Sequence, residues 1–228
     1  RHQNGKWEGN TDLVHRKSYI TEGATCHYTW YVPQNIQGLF DVINKSVDKS
    51  AKRLNRNAQG ISQSDTMSAV VSRLDKMFDE GLYWHGNEPC HQVAYLYDAA
   101  GAPWKTQQRI HHILNTEYND TPGGLSGNDD AGQMSAWYVF SAIGFYPVCP
   151  STPYYYIGTP SFDKVTFNLE NGKKFEIQAH GVGDKAFYIQ KTLLNGKPMS
   201  GYQLSHDDIL KGGNLEFWMG ERPANESK

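Results

Sequence analysis

Apolar residues recur at helical spacing through the first 147 residues of the chain. Between residues 35 and 54 they fall three and four positions apart, as at Ile36, Phe40 and Ile43, which predicts an amphipathic helix. The same spacing predicts four further helices, at about 65–80, 89–100, 103–118 and 131–142. Pro89 and Pro103 fit the first turns of two of them, because the missing N–H of proline costs no hydrogen bond there.

After residue 147 the period changes from helical to alternating. Five segments are typical of short strands, namely PYYYIG, KVTFNL, KKFEIQA, AFYIQKTLL and LEFWM. Asn171-Gly172 and Asn195-Gly196 have the signature of two-residue hairpin turns, which join antiparallel strands. We therefore predict an α+β protein with a helical domain over residues 1–147 and an antiparallel β module over residues 148–228.

Composition argues against several classes of function. The 22 basic and 24 acidic residues nearly balance, which gives no electrostatic basis for binding nucleic acid or an anionic membrane. No run approaches the roughly 18 apolar residues of a membrane-spanning helix. The first ten residues lack the apolar core of a signal peptide, which fits a cytoplasmic protein or one whose leader has been removed. Three scattered cysteines do not predict a disulfide network or a zinc site.

Four carboxylates lie in loops that lead into predicted helices, rather than on solvated helix faces. Glu22 is in SYITEGATCHY, Glu88 is in YWHGNEP, and Asp129 and Asp130 are in GGLSGNDDAG. Loops at the rim of a layered helical fold are where functional sites are usually built. Acids set among Tyr, Trp and His suit glycoside hydrolysis, which needs one protonated and one ionised carboxyl group.

Each of these carboxylates also has a purely structural interpretation. Glu22 can end a strand or bond to buried backbone, and Glu88 can be an acid favoured by the dipole of the helix that follows. Asp129 or Asp130 can cap the helix predicted from Ala131, although a cap explains only one residue of the Asn-Asp-Asp run. Taken singly, the residues leave both interpretations open.

Three long segments resemble those of a known enzyme family. YITEGATCHYTWYVPQNIQGL, HGNEPCHQVAYLYDAAGAPWKTQ and GGLSGNDDAGQMSAWYVFSAIGFYPV occur in the order found in the calcium-dependent exo-α-mannosidases of glycoside hydrolase family 92. The resemblance implies an N-terminal β-sandwich, an (α/α)6 barrel and further C-terminal β structure. The chain has helices for about half of such a barrel and no sandwich, so we expect it to be the C-terminal part of such an enzyme.

The resemblance also implies roles for individual residues. Glu22 matches the family's general acid and Asp130 matches its general base, with Asn128 beside Asp130 in the catalytic loop. Contacts to the sugar are implied for four residues, namely Trp84, His85, Glu88 and Asp129. Calcium (Ca2+) is implied as the cofactor, with Asn87 and Glu88 as its ligands.

We therefore expect an inverting, calcium-dependent exo-α-mannosidase that removes terminal mannose from glycans, with N-glycans as the expected source. Such an enzyme is expected to be secreted, periplasmic or at the cell surface, with a leader that this chain lacks. Cys26 and His27 stand where the family usually has Trp and Gln, which leaves the linkage open. The alternatives are a non-catalytic carbohydrate-binding module and a structural helical scaffold. The isolated chain is expected to be inactive, because the resemblance places part of the site on the sandwich.

Overall fold

The computed structural model describes Asn4, Val14 and residues 20–53 and 63–224, apart from the side chains within 47–53 and 63–68. The helices are α1 (Thr25–Thr29), α2 (Ile36–Arg53), α3 (Gln63–Asp79), α4 (Leu96–Ala99), α5 (Pro103–Thr116), α6 (Gln133–Ile143) and α7 (His206–Lys211). The strands are β1 (Phe145–Tyr146), β2 (Tyr154–Ile157), β3 (Lys164–Asn168), β4 (Lys174–His180), β5 (Tyr188–Leu194), β6 (Lys197–Pro198), β7 (Gln203–Ser205) and β8 (Gly213–Gly220).

Helices α2, α3 and α5 confirm the helical periodicity of the first part of the chain. Phe40 on α2 and Leu74 on α3 are fully buried in one apolar core, which they share with residues of segment 93–102. Pro103 begins α5 as predicted, and Ile110 and Ile113 on that helix are buried in a second core. The spacing of apolar residues therefore places the buried face of each of these helices.

The prediction of one continuous helix over residues 89–100 is wrong. The chain there forms two 3-10 turns, Glu88–Cys90 and Val93–Tyr95, followed by the four-residue α4. Two side chains bond to local carbonyl groups: His91 Nε2 donates to the carbonyl of His85, and Gln92 Nε2 donates to that of Pro89, both at 3.0 Å. Such bonds offer the backbone an alternative to regular helix, so the segment stays in tight turns.

Trp137 on α6 joins the helical part to the first sheet. Its side chain is fully buried beside Tyr95 and Ile110, and Tyr146 of β1 belongs to the same core. A further apolar core lies under the second sheet and includes Phe175, Ile177, Leu204, Leu215 and Phe217. Helix α6 and strand β1 therefore connect two packed regions, one helical and one built on sheets.

The β part is not purely antiparallel, which corrects the predicted antiparallel module. Strands β1, β2 and β7 form a three-stranded antiparallel sheet, in the order β1-β2-β7. The second sheet has the order β3-β4-β8-β5-β6, and β8 pairs with β4 in parallel. A parallel pair needs a long crossover, and here the chain from 181 to 212, which includes β5, β6, β7 and α7, provides it.

The two predicted hairpin turns differ in the structure. Asn195 and Gly196 both have positive φ, at 51° and 74°, as a two-residue type I′ turn between β5 and β6 requires. In the other turn the Leu169 N–H bonds to the Lys173 carbonyl, so the loop has three residues, 170–172. The two-residue turn is therefore confirmed at Asn195-Gly196, whereas the turn at Asn171-Gly172 is one residue longer than predicted.

The α+β class is confirmed, with one antiparallel and one mixed sheet. The half-barrel arrangement of the helices and the domain boundary at 147/148 stay predictions. Strand β1 lies on the helical side of that boundary, yet Phe145 pairs with Ile157 of β2. None of the described helices is long and apolar enough to cross a membrane.

Asp98 on α4 predicts a pH-dependent stability. Both carboxyl oxygens are buried and form no hydrogen bond of normal geometry among the described residues. Burial holds the pKa of Asp98 well above its usual range, and the nearby Thr106 hydroxyl offsets this only in part. The unfolded chain therefore ionises first, so this carboxyl destabilises the fold increasingly as pH rises above about 4. We expect Asp98→Asn to raise the free energy of unfolding by about 1–3 kcal/mol at pH 7.

The measurement is chemical unfolding of the chain and its Asp98→Asn variant at pH 4 and pH 7. The gain is expected to shrink towards pH 4, where the carboxyl is protonated in the folded chain and only about half ionised in the unfolded chain. Asp163→Asn, at an exposed carboxyl, is the control and is expected to change stability little at either pH. A gain that grows on acidification would contradict the prediction.

Candidate active site

The loop that carries Glu22 is fixed by the imidazole of His27. His27 Nδ1 accepts a hydrogen bond from the Ala24 N–H at 3.1 Å, and Nε2 donates to the Leu82 carbonyl at 3.0 Å. Burial lowers the pKa of His27, which favours the neutral ring that these two bonds require. Glu22 itself is exposed. The loop is therefore tied to the segment that leads into the second carboxylate.

Glycine at position 23 lets the Glu22 loop turn tightly over His27, next to Asn87 of the Glu88 loop. Its φ is +68°, and a Cβ there would lie 2.5 Å from His27 Nδ1 and 3.5 Å from Asn87 Nδ2. Asn87 is only 3% exposed, and its Nδ2 has no hydrogen-bond partner within the described part of the chain. The side chain of Trp84, by contrast, is 42% exposed, as a sugar contact requires.

The Glu88 loop meets the Asp130 loop through two glycines. A Cβ built on Gly127 would lie 2.2 Å from the carbonyl oxygen of Gly86 and 2.5 Å from its Cα. A Cβ on Gly86 would lie 2.6 Å from the Ser126 carbonyl oxygen. Backbone atoms cannot rotate away as a side chain can, so the two loops pack this closely only because neither residue has a side chain.

Asp129 caps helix α6, which settles which of the two aspartates does so. Its Oδ1 accepts from the Ser135 N–H at 3.0 Å and from the Ser135 hydroxyl at 2.8 Å. These bonds lower the pKa of Asp129. The helix begins at Gln133 rather than near Ala131, because residues 130–132 all have positive φ, at 47°, 58° and 98°. This backbone leaves Asp130 exposed and outside the cap.

Glu88, Asp130 and Glu22 come together at the point where these loops meet. Burial raises the pKa of the Glu88 carboxyl, hydrogen bonding with the Asp130 carboxyl raises it further, and the charge of Glu22 adds to the effect. Charges shift a pKa strongly only at short range. Glu88 and Asp130 therefore lie close together, Glu22 is near enough for its charge to act on Glu88, and Asn128 is exposed in the third loop.

The structure places His85 inside the protein, although it was predicted to contact sugar. It is fully buried, and both ring nitrogens bond to tyrosine hydroxyls, at 2.7 Å to Tyr83 and 2.6 Å to Tyr118. Burial lowers the pKa of His85 to about 2. The imidazole is therefore neutral and lies beneath the loop rather than on its surface.

Oxygen atoms dominate the donor set of the site. In the described ranges, no three His, Cys, Asp or Glu side chains are arranged to hold a metal ion by themselves. Carboxylate and amide oxygens are nevertheless the donors that calcium prefers, whereas zinc takes nitrogen and sulfur. The crowding of Glu88 against Asp130 is a charge arrangement that a cation would relieve.

A sequence model described as "Glycosyl hydrolase family 92 catalytic domain" matches residues 1–221. The chain belongs to glycosyl hydrolase family 92. Among curated proteins, this chain is 34% identical over 161 residues to an uncharacterized secreted glycosidase of Arthroderma benhamiae. That alignment covers 69% of this chain and 21% of the relative.

Solved structures of family 92 enzymes share the fold. The α-mannosidase BT3965 of Bacteroides thetaiotaomicron is 40% identical with a TM-score of 0.82, over 99% of this chain and 28% of that one. A complex of BT3965 with mannoimidazole matches as well, with 38% identity, a TM-score of 0.81 and coverage of 98% and 30%. The inverting mannosidase BT2199 of the same species is 34% identical with a TM-score of 0.81, over 97% and 30%. The chain thus spans less than a third of the relatives it matches.

Sequence reasoning did not foresee the groups that position the family 92 carboxylates. Gly86 and Gly127 were treated as loop residues, although each directly precedes a polar pair of the site, Asn87-Glu88 and Asn128-Asp129. A glycine immediately before a functional polar residue in two separate loops is the signal that was available. The hydrogen bond between His91 and Gln133, at 3.2 Å, joins residues 42 positions apart and had no sequence signal.

Proposed function

We propose that this chain is the C-terminal portion of an inverting, calcium-dependent exo-α-mannosidase that releases terminal mannose from glycans. The gathering of Glu22, Glu88 and Asp130 from three loops carries the proposal, because glycoside hydrolysis needs carboxyl groups in different protonation states. The α-mannosidase neighbours, one of them in complex with mannoimidazole, support mannose as the sugar. The term full-length enzyme means this chain together with the N-terminal part by which its relatives exceed it.

Glu22 is proposed as the general acid and Asp130 as the general base. An inverting enzyme keeps its acid and base about 6.5–9.5 Å apart, so that sugar and water fit between them. Glu88 lies within hydrogen-bonding reach of Asp130 and leaves no such space. Glu22 is therefore the better partner for Asp130, and its exposed loop can deliver a proton to the leaving oxygen.

Asn128, Asp129 and Trp84 are proposed to shape the rest of the pocket. Asp129 holds the start of α6 through Ser135, so Asp130 projects from a fixed loop toward the attacking water. Asn128 lies beside Asp130 and can orient that water through its amide. The exposed indole of Trp84 offers an apolar face on which a sugar ring stacks.

Glu88 and Asn87 are proposed as calcium ligands. The oxygen donors fit calcium, and Asn87, which is buried where the Glu22 and Glu88 loops meet, would ligate the ion through its amide oxygen. When bound, calcium supplies a positive charge that orients the vicinal hydroxyl groups of mannose.

The convergence of three carboxyls favours catalysis over the carbohydrate-binding module and the structural scaffold. A binding module needs aromatic faces and hydrogen-bonding groups, but it has no use for an acid and base on opposing loops. Secretion is the proposed location, in line with the secreted curated relative. N-glycans remain the proposed source of the mannose.

The full-length enzyme with added calcium is expected to release mannose from α-mannosides, with β-mannose as the first product by proton NMR. Exhaustive chelation is expected to abolish release, and calcium but not zinc is expected to restore it, since the donors are oxygens. Absence of release from all α-linked mannobioses would reject the function. Full turnover after chelation would reject the calcium site alone, and α-mannose as the first product would reject inversion.

A further inference from the structure

A chain of hydrogen bonds runs through the protein beneath the Glu88 loop. It starts at the hydroxyl of Tyr83, which lies 2.7 Å from His85 Nδ1. It continues from His85 Nε2 to the hydroxyl of Tyr118 at 2.6 Å. The Tyr118 hydroxyl in turn lies 3.1 Å from the carbonyl of Met134, in the first turn of α6. These hydrogen bonds therefore link the Glu88 loop to α6, the helix that follows the Asp130 loop.

Each bond in this chain has only one possible direction. The Met134 carbonyl can only accept, so the Tyr118 hydroxyl donates to it. Tyr118 then has no proton left for His85, so His85 Nε2–H donates to the Tyr118 oxygen. The ring is fully buried and both its nitrogens face hydroxyls rather than carboxylates, a setting that disfavours a charged imidazole. A neutral imidazole has one N–H, which leaves Nδ1 as the acceptor of the Tyr83 hydroxyl. The Met134 carbonyl thus fixes the tautomer of His85 through the hydroxyl of Tyr118, which lies between them.

A second chain of bonds anchors the same two elements. His91 Nε2 donates to the carbonyl of His85 at 3.0 Å, and His91 Nδ1 accepts from Gln133 Nε2 at 3.2 Å. Trp137 Nε1 donates to the His91 carbonyl at 2.9 Å, and its ring lies edge-on to His85 at 4.3 Å. Gln133 and Trp137 are both on α6. The backbone of His85 is therefore tied to α6 through His91, and its side chain is tied to α6 through Tyr118.

We propose that His85 is a positioning residue which, as a neutral Nε2–H tautomer clamped between Tyr83 and Tyr118, sets the Glu88 loop against the Asp130 loop. The inference rests on the proposed mannosidase function for its kinetic consequences. It assigns His85 no contact with the sugar. Its effect reaches the reaction through the placement of Glu88 and Asp130, where an error of about 1 Å can cost on the order of 100-fold in rate.

The test removes single oxygen atoms from buried tyrosines in the full-length enzyme. Tyr118→Phe leaves the His85 Nε2–H without its acceptor, and we expect kcat to fall roughly 10- to 100-fold with KM changed by less than about threefold. Tyr95→Phe is the control, because its hydroxyl is fully buried, where loss of a bond costs stability at least as much, but donates to Ser141 at 2.8 Å rather than to His85. That control is expected to keep kcat within about twofold of the unchanged enzyme.

A double substitution separates positioning from general stability. If the clamp acts through Asp130, then Tyr118→Phe in an Asp130→Asn background is expected to lower the residual rate by less than about twofold, because groups that act as a unit are not additive. A full additional loss there would overturn the proposal. Equal losses in the Tyr118→Phe and Tyr95→Phe enzymes would overturn it as well.

Nitrogen NMR of the imidazole reads the tautomer directly. With His85 assigned by a His85→Gln variant, Nε2 is expected to show the shift of a protonated nitrogen and Nδ1 that of an unprotonated one. The opposite pattern, or a doubly protonated ring at neutral pH, would overturn the clamp. This readout needs no turnover, so an enzyme that cleaves no mannoside would reject the proposed function while the tautomer still decides the proposal.

Discussion

Replacing Glu22 by glutamine in the full-length enzyme is expected to lower the rate on natural mannosides by about 10²–10⁴-fold, the usual contribution of a general acid. Glutamine keeps the size of the side chain and removes only its ability to donate the proton. The exposed Glu22 loop stays in place, since His27 and not Glu22 fixes it to Leu82. The measurement is kcat/KM on a mannobiose and on a dinitrophenyl mannoside.

The two substrates distinguish an acid from a binding group. A dinitrophenolate leaves without protonation, so its release is expected to suffer much less than release from the mannobiose. Equal losses on both substrates would show that Glu22 has another role. Glu80→Gln, at an exposed acid directly after α3 that forms an ion pair with Lys76, is the control and is expected to leave both rates unchanged.

Replacing Gly127 by alanine is expected to lower kcat/KM by about 100-fold or more. The added methyl group would lie 2.2 Å from the Gly86 carbonyl oxygen, a distance that no rotamer relieves. The loops must separate, and Glu88 and Asp130 then lose their shared position. The measurement is steady-state kinetics together with the melting temperature, which is expected to fall by only a few degrees because the loops lie outside the apolar cores.

Gly123→Ala is the matched control, since it lies in the same glycine-rich stretch and a Cβ there meets no atom within 4 Å. Its kinetics are expected to stay within about twofold of the unchanged enzyme. Activity of the Gly127→Ala enzyme at the same level would show that the glycine contact does not position the carboxyls.

Local patterns predicted the parts of the fold that local physics decides. The apolar spacing in 103–118 and the proline at its start were sufficient to place α5, because burial of one face and a free N-terminal turn determine a helix. Asn195-Gly196 likewise specified its own turn through positive φ at both residues. In each case a few neighbouring residues determine the local structure.

Long-range contacts decided the features that were not predicted. The turns at 88–95 are tied by the Gln92 amide to the Trp30 carbonyl, 62 residues away, and the parallel pairing of β8 depends on which strands it meets. The burial of His85 follows from two tyrosines, one of them 33 residues away. The four carboxylates were singled out from sequence, while the groups that hold them in place were visible only in three dimensions.

The bonds that join the three loops also bear on the order in which the protein folds. His27 reaches Leu82 across 55 residues, and Gln133 reaches His91 across 42. Such closures lose much chain entropy and gain few apolar contacts, whereas the backbone bonds within a helix such as α5 join near neighbours. The helices and sheets can therefore be complete before the loops meet, and the loops can part again while the rest stays folded. A protein whose loops have separated in this way would keep its native secondary structure and yet have its carboxyl groups apart.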